Sequence, residues 1–99
     1  MEIQIQSIHF DADKKLLDFV ENKLNKLETF YDRIEGINVY LKLEKNDSKE
    51  NKVVEVKLLV PGHDIFVKEH AKTFEEAIDI SLEALKKQLK KIKDKLTTR

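Results

Sequence analysis

Lysine is the residue type whose number and spacing in this chain point to chemistry, and that chemistry is the binding of anions. Lys86, Lys87, Lys90, Lys91, Lys93 and Lys95 fall close together near the C-terminus. On a helix at 100° per residue, Leu85, Leu89, Ile92 and Leu96 form one apolar stripe. Lys87, Lys91 and Lys95 then repeat at four-residue intervals along one flank, and Lys86, Lys90 and Lys93 line the other. Both ridges are exposed if the stripe is buried. Ammonium groups packed this closely repel one another and add nothing evident to folding. An anionic partner would turn that repulsion into phosphate contacts and counterion release. A solvated helix end, favoured by the helix dipole, explains a lysine run just as simply. The run alone therefore divides evenly between a nucleic-acid surface and a merely soluble one.

The other reactive residue types have ordinary explanations. His9, His63 and His70 lie near predicted strand ends and read as exposed polar loop residues. No two share the i, i+4 spacing of a helical metal pair, and there is no cysteine to complete a zinc site. Asp11 and Asp13 precede a predicted helix, while Glu75, Glu76 and Asp79 occupy the first turns of another. All five read as capping and dipole partners. The segment Asn46–Glu50 shares only its composition with a calcium loop. Two glycines cannot build a phosphate-cradling loop. No nucleophile–base pair is evident, so a hydrolase ranks last. The expectation is a non-enzymatic protein with no metal and no cofactor.

The 99 residues suffice for one domain, expected to span 1–99. Formal net charge is zero, which by itself argues against nucleic acid, but its distribution argues for it. Residues 84–99 hold seven cations, Arg99 among them, against Asp94 alone, a net of +6. The first 83 residues, with twelve cations and eighteen acids, carry −6. Such asymmetry points to an anionic partner at the basic end. No stretch approaches the roughly 20 apolar residues of a membrane span, and the N-terminus lacks the pattern of a secretion signal. A soluble cytoplasmic protein is expected, with no membrane and no small-molecule substrate as partner.

Hydrophobic periodicity supplies the elements that must position these lysines. Ile3 and Ile5 alternate with Gln4 and Gln6, predicting a strand through about Phe10. Asp13 is placed to cap a helix of about 20 residues, whose stripe is Leu16, Val20, Leu24, Leu27, Tyr31 and Ile34. Gly36 is placed to end it. Ile37, Val39, Leu41 and Leu43 alternate along a second strand, and Asn46–Asn51 makes a polar loop. Val54, Val56, Leu58 and Val60 form a third strand. Pro61-Gly62 turns the chain, and Ile65 and Val67 start a fourth strand that runs to about His70. Thr73 and Glu76 form a capping box for the last helix. Its stripe runs Phe74, Ile78, Leu82, Leu85, Leu89, Ile92 and Leu96. The order β-α-β-β-β-α predicts an α+β fold. The first two strands pair in parallel through a right-handed crossover, and two helices cover one face of a four-stranded mixed sheet.

Several segments in fixed order resemble the ribosome hibernation-promoting factor and ribosome-associated inhibitor family, also called sigma-54 modulation proteins. They are Lys23-Leu24-Asn25-Lys26-Leu27-Glu28 with Tyr31-Asp32-Arg33-Ile34, then Val39-Tyr40-Leu41-Lys42-Leu43-Glu44-Lys45. Ala77-Ile78-Asp79 follows, and then Gln88-Leu89 with Lys91 and Lys93-Asp94-Lys95-Leu96. Together they span essentially the whole chain. The resemblance implies a fold akin to double-stranded-RNA-binding domains. It also implies a factor that occupies the messenger and transfer RNA channel of the small ribosomal subunit and silences translation in stationary phase or stress. The implied partners are that subunit and its ribosomal RNA, with a helper factor for ribosome pairing left open. Carried onto this chain, the implied contacts are Lys23, Lys26, Lys87, Lys91 and Lys95, with Arg33, Lys42 and Lys45 as further candidates. Lys86 and Lys90 join them, as compensation for Ala84, where relatives often carry lysine. Glu75 stands where relatives often carry tyrosine, which removes an aromatic contact at that helix start. Ending at Arg99, the chain resembles a short form of the family. A competing reading is a protein-interaction module that uses Tyr40, Leu59 and Phe66 on the open face of the sheet.

Overall fold

The computed structural model describes residues 1–45 and 49–97. Asn46, Asp47 and Ser48 of the expected loop, Arg99, and the side chains of His63 and Leu96 lie outside the described residues. The elements are β1 (Glu2–Ile8), α1 (Lys14–Phe30), β2 (Gly36–Leu43), β3 (Lys52–Val60), β4 (His63–Ala71) and α2 (Phe74–Thr97). The sheet order is β1-β2-β3-β4. β1 pairs with β2 in parallel, starting at Glu2↔Gly36, and the remaining pairs are antiparallel. This is the mixed four-stranded sheet that the alternation predicts.

Strand alternation sends every second side chain to the same face. Ile37, Val39 and Leu41 of β2, Val54, Val56 and Leu58 of β3, and Ile65 and Val67 of β4 are buried in a single core. Val20, Leu24 and Leu27 of α1 and Ile78, Leu85 and Leu89 of α2 complete that core from one side. Leu16 and Ile92 pack half-buried against it, so within the described residues the expected stripes face the core. Among the described residues, no helix covers the opposite face of the sheet. There Phe66 is 55 % exposed, while Tyr40 and Leu59 are half-buried.

Three boundaries depart from the sequence expectation. β1 stops at Ile8, because His9 takes a left-handed φ of 71° and Phe10 turns inward. Phe10 stacks on Phe74 at 4.7 Å, tying the entry of α1 to the entry of α2. α1 ends at Phe30, short of Gly36, and Tyr31 is already extended. Tyr31 and Ile34 stay buried beyond the helix, which explains why they continued its stripe in the sequence. Gly36 is no helix cap. It opens β2 beside Glu2, where a Cβ would lie 3.4 Å from the Glu2 carbonyl oxygen. The five residues between Phe30 and Gly36 carry the chain from helix to sheet, held by Glu35 N–H donating to Leu59 O at 2.8 Å. Finally, β4 starts at once after Pro61-Gly62, with Gly62 at φ 92°, a conformation that side-chain-free glycine adopts readily.

Both helices run antiparallel to the strands they follow, so they run parallel to each other. α1 ends, and α2 carries its lysines, at the Gly36 end of the sheet. α2 begins at the opposite end, beside Phe10.

Candidate nucleic-acid interface

The lysine-bearing helix is fixed at its start by its cap and along its length by its stripe. Thr73 Oγ1 accepts from Glu76 N–H at 3.1 Å, as a Thr N-cap should. Phe74, Ala77, Ile78, Leu82, Leu85 and Leu89 are buried, and Ile92 packs half-buried against the core. With that face committed, the lysine positions follow from helical geometry. Lys87, Lys90, Lys91, Lys93 and Lys95 are exposed, and Lys86 is half-buried. The two ridges are thus not equally open.

Contacts with α1 decide which ridge faces it. Lys23 Nζ of α1 lies 3.3 Å from Asp79 Oδ1 of α2 and 5.4 Å from the Phe19 ring centroid. Lys93 Nζ donates to Phe30 O at 3.0 Å and sits 4.7 Å over the Phe30 ring. Asp79, Lys86, Lys90 and Lys93 recur at intervals that keep them on one flank of α2, so that flank borders α1. On α1, Phe19, Lys23, Lys26 and Phe30 share the flank that answers it. The two helices therefore meet along a seam bordered by Lys23, Lys26, Lys86, Lys90 and Lys93, with Asp79 and Glu83 on the same flank of α2. Lys87, Lys91 and Lys95 lie on the outer face and far flank of α2.

Among the described residues, Lys26, Lys86, Lys87, Lys90 and Lys91 make no salt bridge and no side-chain hydrogen bond. Lys93 differs from the expectation that folding gains nothing from these cations. Its ammonium satisfies a carbonyl at the end of α1, where the helix dipole also favours positive charge. Asp79 departs as well. It lies beyond the first turn of α2 and pairs with Lys23 rather than serving the dipole.

The remaining candidates are dispersed. Arg33 is exposed just after α1, at the same end of the molecule as the lysine ridges. Lys42 and Lys45 are not brought to the helices. They lie at the opposite end of the sheet, about 20 Å away by strand rise. There they border a cleft with His9 and Glu44, and Lys42 pairs with Glu55 at 3.9 Å. Ala84 shares its flank with Lys87 and Lys91, so Lys86 and Lys90 add charge to a different surface rather than replacing a lysine at 84. His9 and His70 are exposed, the latter within β4 rather than in a loop. Among the described residues, no three His, Asp or Glu side chains converge to hold a metal, and no helix is long and apolar enough to cross a membrane.

The family model described as "Sigma 54 modulation protein / S30EA ribosomal protein" matches residues 3–97. The chain belongs to this S30EA family. It is similar to proteins named ribosome hibernation promoting factor. The one from Pseudomonas putida is 33 % identical over 95 residues, covering 96 % of this chain and 89 % of the relative. That of Klebsiella oxytoca is 33 % identical over 96 residues, covering 97 % of both chains. That of Escherichia coli K12 is 32 % identical over the same span and share. The S30EA fold is also seen in a ribosomal subunit interface protein from Coxiella burnetii, with a TM-score of 0.84 at 24 % identity over 95 % of this chain and 99 % of that one. The N-terminal domain of Thermus thermophilus Protein Y matches with a TM-score of 0.73 at 23 % identity, over 92 % of this chain and 94 % of that one.

Proposed function

We propose that this S30EA-family protein is a cytoplasmic ribosome hibernation factor. It binds the ribosomal RNA of the small subunit through its two helices and so occupies the channel used by messenger and transfer RNA. Residues 1–99 act as one ribosome-binding domain, without catalysis. Ribosome binding in hibernation rests on family membership and on the names of the similar proteins. The observation that carries RNA as the target is the set of unpaired lysines on α2. Lys86, Lys87, Lys90 and Lys91 sit on a helix already anchored by its apolar face, and among the described residues none of them is in a salt bridge. Lysine is a point charge without the planar fork that reads base edges, so the contacts are to phosphates and to RNA shape. Lys23, Lys26 and Arg33 extend the surface across α1. Lys42 and Lys45, at the far end, reach a separate stretch of backbone.

Two experiments test this reading. In a sucrose gradient of cell extract from starved cells, the protein migrates with small subunits and whole ribosomes. Added to a cell-free translation reaction, it lowers protein synthesis. A protein that stays at the top of the gradient and leaves synthesis unchanged contradicts the proposal.

A second reading rests on Phe66, which projects at 55 % exposure from the helix-free face of the sheet. If that face holds a protein partner, Phe66→Ser removes a pulled-down protein that high salt does not release. If RNA is the partner, Phe66→Ser leaves subunit binding unchanged.

A further inference from the structure

Asp79 is an acid beside a basic surface. On the flank of α2 that borders α1 it is followed by Glu83 and then by Lys86, Lys90 and Lys93, and its side chain is 54 % exposed. On bulk electrostatics alone, a carboxylate there opposes any polyanion that approaches this seam. The structure nevertheless gives it one definite contact, Lys23 Nζ at 3.3 Å across the helix interface. Lys23 is only 31 % exposed at its side chain, and its ammonium lies over the Phe19 ring, 5.4 Å from the centroid. An ammonium has three N–H donors. The carboxylate and the ring together hold the ammonium at the seam, and one carboxylate does not occupy all three of its donors.

We infer that Asp79 is a positioning residue for RNA binding: it holds the Lys23 ammonium of α1 at the interhelical seam, so that Lys23 joins Lys26, Lys86 and Lys90 in contacting phosphate. The inference rests on the proposal that the two helices bind ribosomal RNA. A free lysine side chain gives up considerable rotamer freedom when it is fixed. Asp79 and Phe19 impose that restriction before RNA arrives, so binding meets a smaller entropic cost.

Glu83 provides the contrast. It is one turn further along α2, is exposed and makes no salt bridge. Replacing either acid by alanine changes net charge by the same amount. Electrostatics alone predicts tighter RNA binding in both cases. Positioning predicts opposite signs.

The test measures affinity for purified small subunits over a series of salt concentrations, with D79A, D79N, E83A, K23Q and the double variant D79A/K23Q. Thermal melting confirms that each is folded. Parent protein that fails to bind overturns the functional reading itself, whereas the inference about Asp79 is judged only from differences among the variants. The expected result is that E83A binds at least as tightly as the parent, and that D79A binds up to about fivefold more weakly, the range of a partly exposed ion pair. The slope of log affinity against log salt falls by about one in D79A and in K23Q, as for the loss of one phosphate contact. The double variant falls no further than K23Q, because both changes remove the same contact. D79N, which keeps an oxygen acceptor for Lys23, lies between parent and D79A. A role in stability alone moves the melting temperature and leaves the salt slope where it was. If D79A binds as tightly as the parent or tighter, or if its loss adds to that of K23Q, the inference is wrong.

Discussion

The lysines of α2 do different things although the sequence presents them as one run. Lys91 is exposed and unpaired, so its charge is available to a ligand. Lys93 reaches across to the carbonyl and ring of Phe30 and helps join the helices. Their neutral variants should separate accordingly. Lys91→Gln is expected to leave the melting temperature unchanged and to lower the salt slope of subunit binding by about one. Lys93→Gln is expected to lower the melting temperature slightly, since it removes a hydrogen bond worth up to about 1 kcal/mol. The ridges were legible in the sequence because helix geometry is local, and spacing alone assigns each lysine to a flank. The partners of Lys23 and Lys93 were not. Lys93 and Phe30 are 63 residues apart, and only the crossing of two helices brings them together.

The helices owe their positions to caps and apolar stripes, and both were readable. Asp13 Oδ1 accepts from Leu16 N–H at 2.9 Å, and Thr73 serves α2 in the same way. Thr73→Ala is expected to cost about 1 kcal/mol of stability, read as a lower urea midpoint with an unchanged slope. Leu85 is fully buried, and Leu85→Ala is expected to cost about 2–5 kcal/mol in the same measurement. Because α2 carries the ridges, this variant also loses subunit binding at temperatures where the helix loosens. The end of α1 was not legible. Tyr31 and Ile34 satisfy the helical stripe by residue type, yet they are buried in the connection that leads to β2. Periodicity records which residues are buried and does not record when the backbone stops being helical. Gly36 was misread for a related reason. It looked like a helix terminator, whereas its place is set by the approach of β1.

Across the whole molecule, charge and topology reinforce each other. The parallel arrangement of α1 and α2 brings the basic half of α2 to the end of the molecule where α1 stops and Arg33 is exposed. The acidic residues of the first turn of α2, Glu75 and Glu76, lie at the opposite end. A formal net charge of zero therefore conceals a polarised molecule. This polarity was legible from charge counts along the chain, and so was the fold from the order of its periodic segments. The separation of Lys42 and Lys45 from the ridges was not, because only the strand register shows that they lie at the far end of the sheet. The central claim is that the lysine ridges of α2 bind ribosomal RNA of the small subunit. Its most direct test compares the parent protein with the triple variant Lys87→Glu, Lys91→Glu and Lys95→Glu in co-sedimentation with purified small subunits at increasing salt. The expected result is parent binding that weakens steeply as salt rises, and no binding by a triple variant that melts at the parent's temperature. A folded triple variant that co-sediments as well as the parent would contradict the claim.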